Sequence, residues 1–176
     1  TTAAPETAPG GETPDGPRSA NRYGDNAMEI EHFALTDEHG SPVRGLTSGQ
    51  PCRIGFRMRA VRDVEEVSIG FAIKDRRGTV LFGITNISQN QAPARLQAGE
   101  ALELTVPMRM WLAAGDYFVN LGGGHLHSQV MHDFIEDALQ FNVLGPGGIF
   151  TTAVVNLEAQ FDLRLTGAQA QPGDRA

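Results

Sequence analysis

Apolar and polar residues alternate along much of the chain. The clearest alternation covers residues 52–60, 66–74, 101–110 and 155–165. In the first of these stretches, Ile54, Phe56 and Met58 fall on one face, opposite Arg57 and Arg59. Neighbouring side chains of a strand point to opposite sides of a sheet, so this period of two predicts half-buried β-strands. Weaker alternation predicts four more strands, over residues 27–36, 79–86, 116–122 and 138–144.

Turn sequences separate the predicted strands. Residues 37–40 (DEHG) and 75–78 (DRRG) place Asp first and Gly fourth, which is typical of a type I turn that closes a hairpin. About eight strands at intervals of roughly 10 to 15 residues, with turns between them, predict an all-β antiparallel sandwich. No stretch shows the apolar stripe of an amphipathic helix, and we expect at most one short helical turn, within residues 127–137.

Both ends of the chain differ in composition from its middle. Residues 1–20 contain no large apolar side chain, so they cannot bury enough surface to offset the entropy lost on ordering. We expect them to form a flexible linker, residues 167–176 to form a polar tail, and residues 21–166 to form the folded domain. Because the first residue is Thr rather than Met, we expect a fragment or a processed form, with the linker leading to an upstream domain.

Charge and residue types narrow the functional classes. The 14 Lys and Arg residues are outnumbered by 21 Asp and Glu, which gives a net charge of −7 and argues against nucleic-acid binding. No apolar run approaches the roughly 18 residues of a membrane span. A phosphate-binding G-x-x-x-x-G-K-[ST] loop is also absent from the sequence, so we expect no nucleotide site. These features predict a soluble, cytoplasm-compatible domain without a cofactor.

Two sequences that resemble functional motifs have simpler explanations. Cys52 is the single cysteine, which rules out an intramolecular disulfide and a cysteine-rich zinc site. We expect it to be a buried, unreactive thiol. Residues 122–124 (GGG) lack the Lys and the helix of a phosphate-binding loop, and we interpret them as a flexible strand end.

The polar face of the predicted sheet is one candidate binding surface. Alternation assigns Arg57 and Arg59 to the same side as Ser68, and Asn86 and Asn120 join them if their strands keep register. Small residues occur between these positions, and mid-strand glycines are common where a ligand approaches the backbone. Such a face suits a hydroxyl-rich ligand, because Arg and Asn supply several donors and acceptors. An ordinary solvated face explains the same pattern.

A second group of candidates lies near predicted loops. Trp111 ends a predicted strand, where its ring either packs in the core or offers a platform on which a sugar can stack. His125 and His127 are two residues apart, so in a strand their imidazoles share a face, as in the metal site of cupin-type enzymes. Loop histidines that hydrogen-bond beside a binding surface are the other interpretation.

The order of several short motifs is similar to one known family. These motifs are residues 23–25 (YGD), 70–78 (GFAIKDRRG), 81–86 (LFGITN), 96–99 (LQAG), 112–117 (LAAGDY) and 137–143 (DALQFNV). Their order resembles that of the C-terminal carbohydrate-binding domain of Wzt-type ATPases, the nucleotide-binding subunits of O-antigen ABC exporters. The resemblance covers about 145 residues, from the first predicted strand to the last.

The resemblance implies a fold, a function and a set of partners. Members of this family are immunoglobulin-like sandwiches that bind the mature O-antigen glycan and catalyse nothing themselves. They form homodimers by exchanging the last strand, here within residues 153–166. The resemblance also implies an upstream ATPase domain and a membrane transporter subunit at the inner face of the inner membrane. Individual glycan contacts do not carry over from the family. Two alternatives stay open: a cupin-like, metal-dependent sugar enzyme that uses His125 and His127, and a dimerisation module without a ligand.

Overall fold

The computed structural model describes residues 21–145 and 154–155. Within these residues the elements are β1 (Arg22–Tyr23), β2 (Met28–Asp37), β3 (Gly45–Thr47), β4 (Pro51–Ala60), β5 (Val64–Asp75), β6 (Val80–Thr85), a 3₁₀ turn (Ile87–Gln89), β7 (Ala94–Leu96), β8 (Ala101–Arg109), β9 (Gly115–His125) and β10 (Met131–Leu144). Among the described residues, no helix is both long enough and apolar enough to span a membrane.

The strands form two sheets that enclose the core between them. The larger sheet has the order β1-β10-β9-β5-β6, with β3 also paired to β10 and β7 also paired to β5. The smaller sheet has the order β2-β4-β8. Every pair is antiparallel except β3 with β10, which runs parallel. The predicted all-β sandwich is therefore confirmed, with one parallel pair that the alternation did not predict.

The core consists of the apolar positions that the alternation selects. Ile54, Phe56 and Met58 of β4 are at most 4% exposed. The same holds for the predicted inward positions of β5, which are Val67, Ile69, Phe71 and Ile73. The apolar positions of β8 are only half-buried, and β8 lies at an edge of the smaller sheet. Apolar burial of this kind is the main favourable contribution to folding.

The expectation of a helical turn within residues 127–137 is wrong, because β10 begins at Met131. Its alternation is hidden in the sequence by two irregularities in its pairing with β9, between Met131 and Asp133 and between Ile135 and Leu139. The second contains Asp137, whose φ of 55° departs from extended backbone. A strand with such bulges loses the period of two.

A buried carboxylate connects the two sheets. Asp133 of β10, 4% exposed, accepts hydrogen bonds from Arg22 Nε at 2.9 Å and from its guanidinium NH₂ at 2.6 Å. The same carboxylate accepts the backbone N–H of Ile30, in β2 of the smaller sheet, at 2.7 Å. Arg22 also donates to the Ile30 carbonyl at 3.1 Å. These bonds hold the first strand to the sandwich.

The strand predicted over residues 155–165 lies, apart from Val155, outside the described residues. Val155 forms an isolated antiparallel bridge with Leu112. Next to it, the backbone N–H of Ala113 donates to the carbonyl of Val154 at 2.9 Å. The predicted linker over residues 1–20 and the tail over residues 167–176 also lie outside the described part of the chain.

Candidate functional site

The outer face of the larger sheet carries a shallow concavity across neighbouring strands. Small residues fill most of the paired positions across β5 and β9: Ser68 faces Gly124, Gly70 faces Gly122, and Ala72 faces the larger Asn120. With Gly83 and Thr85 of β6 and Met131 and Phe134 of β10, they surround a volume of about 590 Å³, which we call the furrow. A concave surface that is largely apolar, with a few polar groups, is the usual form of a small-ligand site.

Backbone packing requires glycine in the floor of the furrow. A Cβ at Gly70 would lie 2.1 Å from the Ile84 carbonyl oxygen, and one at Gly124 would lie 2.4 Å from that of Val130. At Gly122, a Cβ would lie 2.6 Å from Cδ2 of the Phe134 ring. Residues 122–124 do lie near the end of β9, as interpreted from the sequence, but all three are buried and paired with β5 and β10, which argues against a flexible end.

Two aromatic rings stand beside the furrow. Tyr23 of β1 pairs with Phe134 of β10, and their ring centroids are 5.0 Å apart at an interplanar angle of 32°. Tyr23 is 56% exposed, so its ring is open to solvent on a face that contains the furrow. The sequence pattern does not identify Tyr23 as a candidate, because a strand of two residues has no visible period and pairs with residues more than 100 positions away.

The polar groups of the furrow are uncharged. Asn120 Oδ1 accepts the backbone N–H of Asp137 at 3.0 Å, which leaves the Asn120 NH₂ available as a donor. Ser68 presents its hydroxyl from the neighbouring strand. The sequence-based assignment of Ser68 and Asn120 to one outer face agrees with the register, because Asn120 opposes Ala72, and Ala72 is on the same side of β5 as Ser68.

The two histidines of the second candidate group lie at one end of the furrow. His125 contributes to its lining, whereas His127 is exposed in the following turn. Their ring centroids are 6.4 Å apart, and both Nε2 atoms approach Glu66 Oε2, at 3.5 Å and 3.8 Å. Among the described residues, no group of three or more His, Cys, Asp or Glu is arranged to hold a metal ion. The cupin-like alternative therefore gains no support.

Arg57 and Arg59 lie on the opposite side of the sandwich from Ser68. Both belong to β4 of the smaller sheet, so the prediction that they share a face with Ser68 and Asn120 is wrong. Arg57 forms ion pairs with Glu31 at 3.2 Å and with Glu103 at 3.3 Å. Arg59 forms ion pairs with Glu31 and, at 3.2 Å, with Glu29. Alternation separates inward from outward residues within a strand but does not reveal which sheet that strand joins.

Asn86 and Trp111 do not reach the furrow. Asn86 is buried, with 8% of its surface exposed. Its Oδ1 accepts the Ile69 N–H at 3.0 Å, and its Nδ2 donates to the Ala92 carbonyl at 3.2 Å. Its predicted place on the outer face is therefore wrong, since a carboxamide this well bonded supports the loop after β6. The Trp111 ring packs directly against Gly49, so closely that a Cβ on this glycine would lie 2.5 Å from the ring. It precedes the start of β9, whereas His125 ends that strand, so the two side chains lie at opposite ends of the sandwich.

Comparison with known proteins identifies one family. The model of the Wzt C-terminal domain matches residues 19–157. A solved crystal structure of the C-terminal domain of Wzt superposes with a TM-score of 0.72 at 19% identity, covering 81% of this chain and 87% of that chain. A Niemann-Pick type C2 protein from Japanese carpenter ant has a TM-score of 0.48 at 8% identity, covering 67% of this chain and 93% of its own. None of the curated protein sequences matches this chain.

Proposed function

The chain belongs to the Wzt C-terminal domain family, and on that premise we propose that its furrow binds a polysaccharide. The observation that carries the proposal is the aromatic pair of the exposed Tyr23 and the half-buried Phe134 beside a floor of small residues. An aromatic face is electron-rich and attracts the polarised C–H groups of a sugar ring. Absence of bulky side chains from the floor lets such a ring approach the sheet closely.

Polar groups at the furrow orient the ligand, whereas apolar groups supply most of the contact area. The Asn120 amide and the Ser68 hydroxyl project from adjacent strands and match the donors and acceptors of sugar hydroxyl groups. Both side chains belong to a paired sheet, so little conformational entropy is lost when a ligand binds. The larger sheet, rather than a loop, therefore positions the proposed contacts.

The polysaccharide, in this proposal, is an O-antigen glycan recognised in its mature form for export by an ABC transporter. The chain would act as the non-catalytic binding domain of that transporter's ATP-binding protein, with residues 1–20 as the tether to the ATPase domain. That assembly sits with a membrane transporter subunit at the inner face of the inner membrane. In this proposal, the furrow is the surface on which recognition of the exported glycan depends.

A homodimer through the last strand is part of the proposal. Residues 155–165 alternate over eleven positions, and Val155 already pairs with Leu112, just beyond the end of β8. Within the described residues, β8 is paired on one side only, by β4. An unpaired edge with half-buried apolar side chains is a surface to which a strand of a second copy can add.

Deletion of residues 153–166 tests the dimer. Size-exclusion chromatography with light scattering should show monomeric or aggregated material, because the deletion leaves the β8 edge uncovered. A shorter chain that remains a soluble and stable dimer would contradict exchange of this strand.

Binding to isolated O-polysaccharides tests the function itself. Calorimetric titration of the protein with a panel of O-chains, each native and with its non-reducing end trimmed, should reveal one native chain that binds saturably and a trimmed form that binds weakly. Absence of binding across the panel would refute the proposed function. Equal binding of native and trimmed chains would refute recognition of the mature end.

A further inference from the structure

The described part of the furrow lining is uncharged apart from its histidine. Of the described residues that line it, none is Lys, Arg, Asp or Glu. Lys74 follows Ala72 on the same outer face of β5, but its Nζ lies 2.8 Å from Glu136 Oε1 and 2.9 Å from Asp137 Oδ1. Two carboxylates at hydrogen-bond distance already balance that ammonium group. The face consequently offers no unbalanced positive charge next to the furrow from the described residues.

Among the described residues of the furrow lining, His125 has the ionisable side chain, and both of its ring nitrogens already face other groups of the protein. Its Nδ1 accepts the backbone N–H of His127 at 3.3 Å and that of Ser128 at 3.2 Å. Its other ring nitrogen, Nε2, points towards Glu66. That Nε2 lies 3.5 Å from the Glu66 carboxylate, which places negative rather than positive potential at this end.

Few hydrogen-bonding groups of the furrow are available to a ligand. Thr85 Oγ1 accepts the Ser88 N–H at 3.1 Å, and Ser88 Oγ donates to the Thr85 carbonyl at 2.8 Å. Asn120 uses its oxygen on Asp137. The Ser68 hydroxyl, the Asn120 NH₂ and the Gln129 carboxamide therefore carry much of the remaining capacity. A hexose that buried all its hydroxyl groups here would leave some of them without partners, which is costly.

Apolar groups dominate the remaining surface. Val80 and Ile84 line the β6 side of the furrow, and Met131 and Phe134 line the β10 side. Between them the floor presents glycine backbone and the Ala72 methyl. Burial of a methyl group against such a surface is favourable, whereas burial of a hydroxymethyl group is not unless its hydroxyl finds a partner.

We infer that the furrow recognises a neutral 6-deoxyhexose unit of the polysaccharide, with the methyl group on its C5 buried against the apolar walls and its remaining hydroxyl groups meeting Ser68 and Asn120. This inference rests on the proposed function and narrows its substrate class. Phosphorylated and uronic-acid-containing units are disfavoured, because the described residues around the furrow supply no unbalanced cation to pair with them. The net charge of −7 on the chain also repels anionic units.

Matched polysaccharides provide the test. Sets of polymers that share backbone and linkage, and differ only in whether C6 is a methyl, a hydroxymethyl or a carboxylate group, are titrated against the protein at low and high salt. Within the set that binds best, the 6-deoxy polymer should bind about 5- to 150-fold more tightly than its hydroxymethyl counterpart, the effect of one unpaired buried hydroxyl. Its affinity should not fall with added salt, because no ion pair contributes.

A pair of glycine variants locates the binding. A Cβ at Gly83 meets no atom closer than 4.0 Å, so Gly83→Val fills the furrow without a backbone clash. Gly45 of β3, with nothing within 4 Å of its Cβ position and no part in the furrow, provides the matched control Gly45→Val. Gly83→Val should weaken binding of the 6-deoxy polymer at least about tenfold, and Gly45→Val should not change it.

The outcomes separate the inference from the function on which it rests. Tightest binding of a carboxylated or fully hydroxylated polymer, or affinity that falls steeply with salt, would overturn the neutral 6-deoxy assignment while leaving polysaccharide binding intact. Binding of the 6-deoxy polymer that survives Gly83→Val would also overturn it, because the unit would then lie outside the furrow. No binding by any polymer would refute the proposed function.

Discussion

Tyr23 and Phe134 are separated by more than 100 residues in the sequence, yet their ring centroids lie 5.0 Å apart on the outer face of the larger sheet, with the rings tilted by 32°. The pairing of β1 with β10 creates this contact. The Arg22–Asp133 ion pair, one residue away on each strand, holds the two strands together. An aromatic surface beside the furrow thus depends on a buried electrostatic contact directly beneath it.

Removal of the exposed ring should weaken glycan binding. We predict that Tyr23→Ala lowers the affinity for the polysaccharide about five- to tenfold, since a lost aromatic contact is worth roughly 1 kcal/mol. Tyr23→Phe keeps the ring and should bind like the parent protein. Both are measured by calorimetric titration. If Tyr23→Ala binds as tightly as Tyr23→Phe, the aromatic pair takes no part in binding.

The two faces of the sandwich should respond differently to substitution. Asn120→Asp keeps the oxygen that accepts the Asp137 N–H but removes the amide donor, and we predict about a tenfold loss of affinity. Arg57→Ala, on the smaller sheet, should leave binding unchanged. The titrations of both variants are compared at equal folded fraction. The reverse pattern would place the ligand on the smaller sheet.

The buried ion pair should dominate the stability of the first strand. Asp133→Ala leaves the Arg22 guanidinium and the Ile30 N–H without their acceptor, and we predict a loss of about 3–5 kcal/mol in the free energy of unfolding. The double variant Arg22→Met with Asp133→Leu removes both charges and should recover part of that loss. Urea denaturation measures all three proteins. A loss below about 1 kcal/mol for Asp133→Ala would show that the pair is not a major source of stability.

Cys52 should be unreactive while the protein is folded. Burial raises the pKa of its thiol to about 11, so the thiolate fraction at pH 8 is about two orders of magnitude below that of a free thiol. Because the folded-state pKa is the higher one, the thiol's contribution to stability is complete below the unfolded pKa of about 8.5 and declines as the pH rises from there towards 11. Reaction with a chromogenic disulfide at pH 8 should therefore be slow in the native protein and fast in urea. Rapid native labelling would contradict burial of this thiol.

The inward positions of the long strands follow from the sequence, whereas the site follows only in part, through Ser68, Asn120 and His125. Alternation identifies Ile54 and Phe71 as core residues because each strand has one buried face, and burial is a local property of the pattern. It cannot place Arg57 relative to Ser68, since that depends on which sheet each strand joins. Tyr23 cannot be assigned to a face from the sequence, because β1 is too short to show a period. The need for glycine in the furrow floor becomes visible only in the folded sheet, where β6 and β10 lie too close to these positions for a Cβ.

Glycine amide signals distinguish polysaccharide binding at the furrow of the larger sheet from binding on the smaller sheet. In ¹⁵N–¹H spectra, Gly70, Gly122 and Gly124 report on the furrow, while Gly55 reports on the smaller sheet. Titration with the polysaccharide identified in the binding panel should shift the three furrow signals saturably, with one common dissociation constant, and leave Gly55 in place. Shifts at Gly55 without shifts at Gly70, Gly122 and Gly124 would contradict the account.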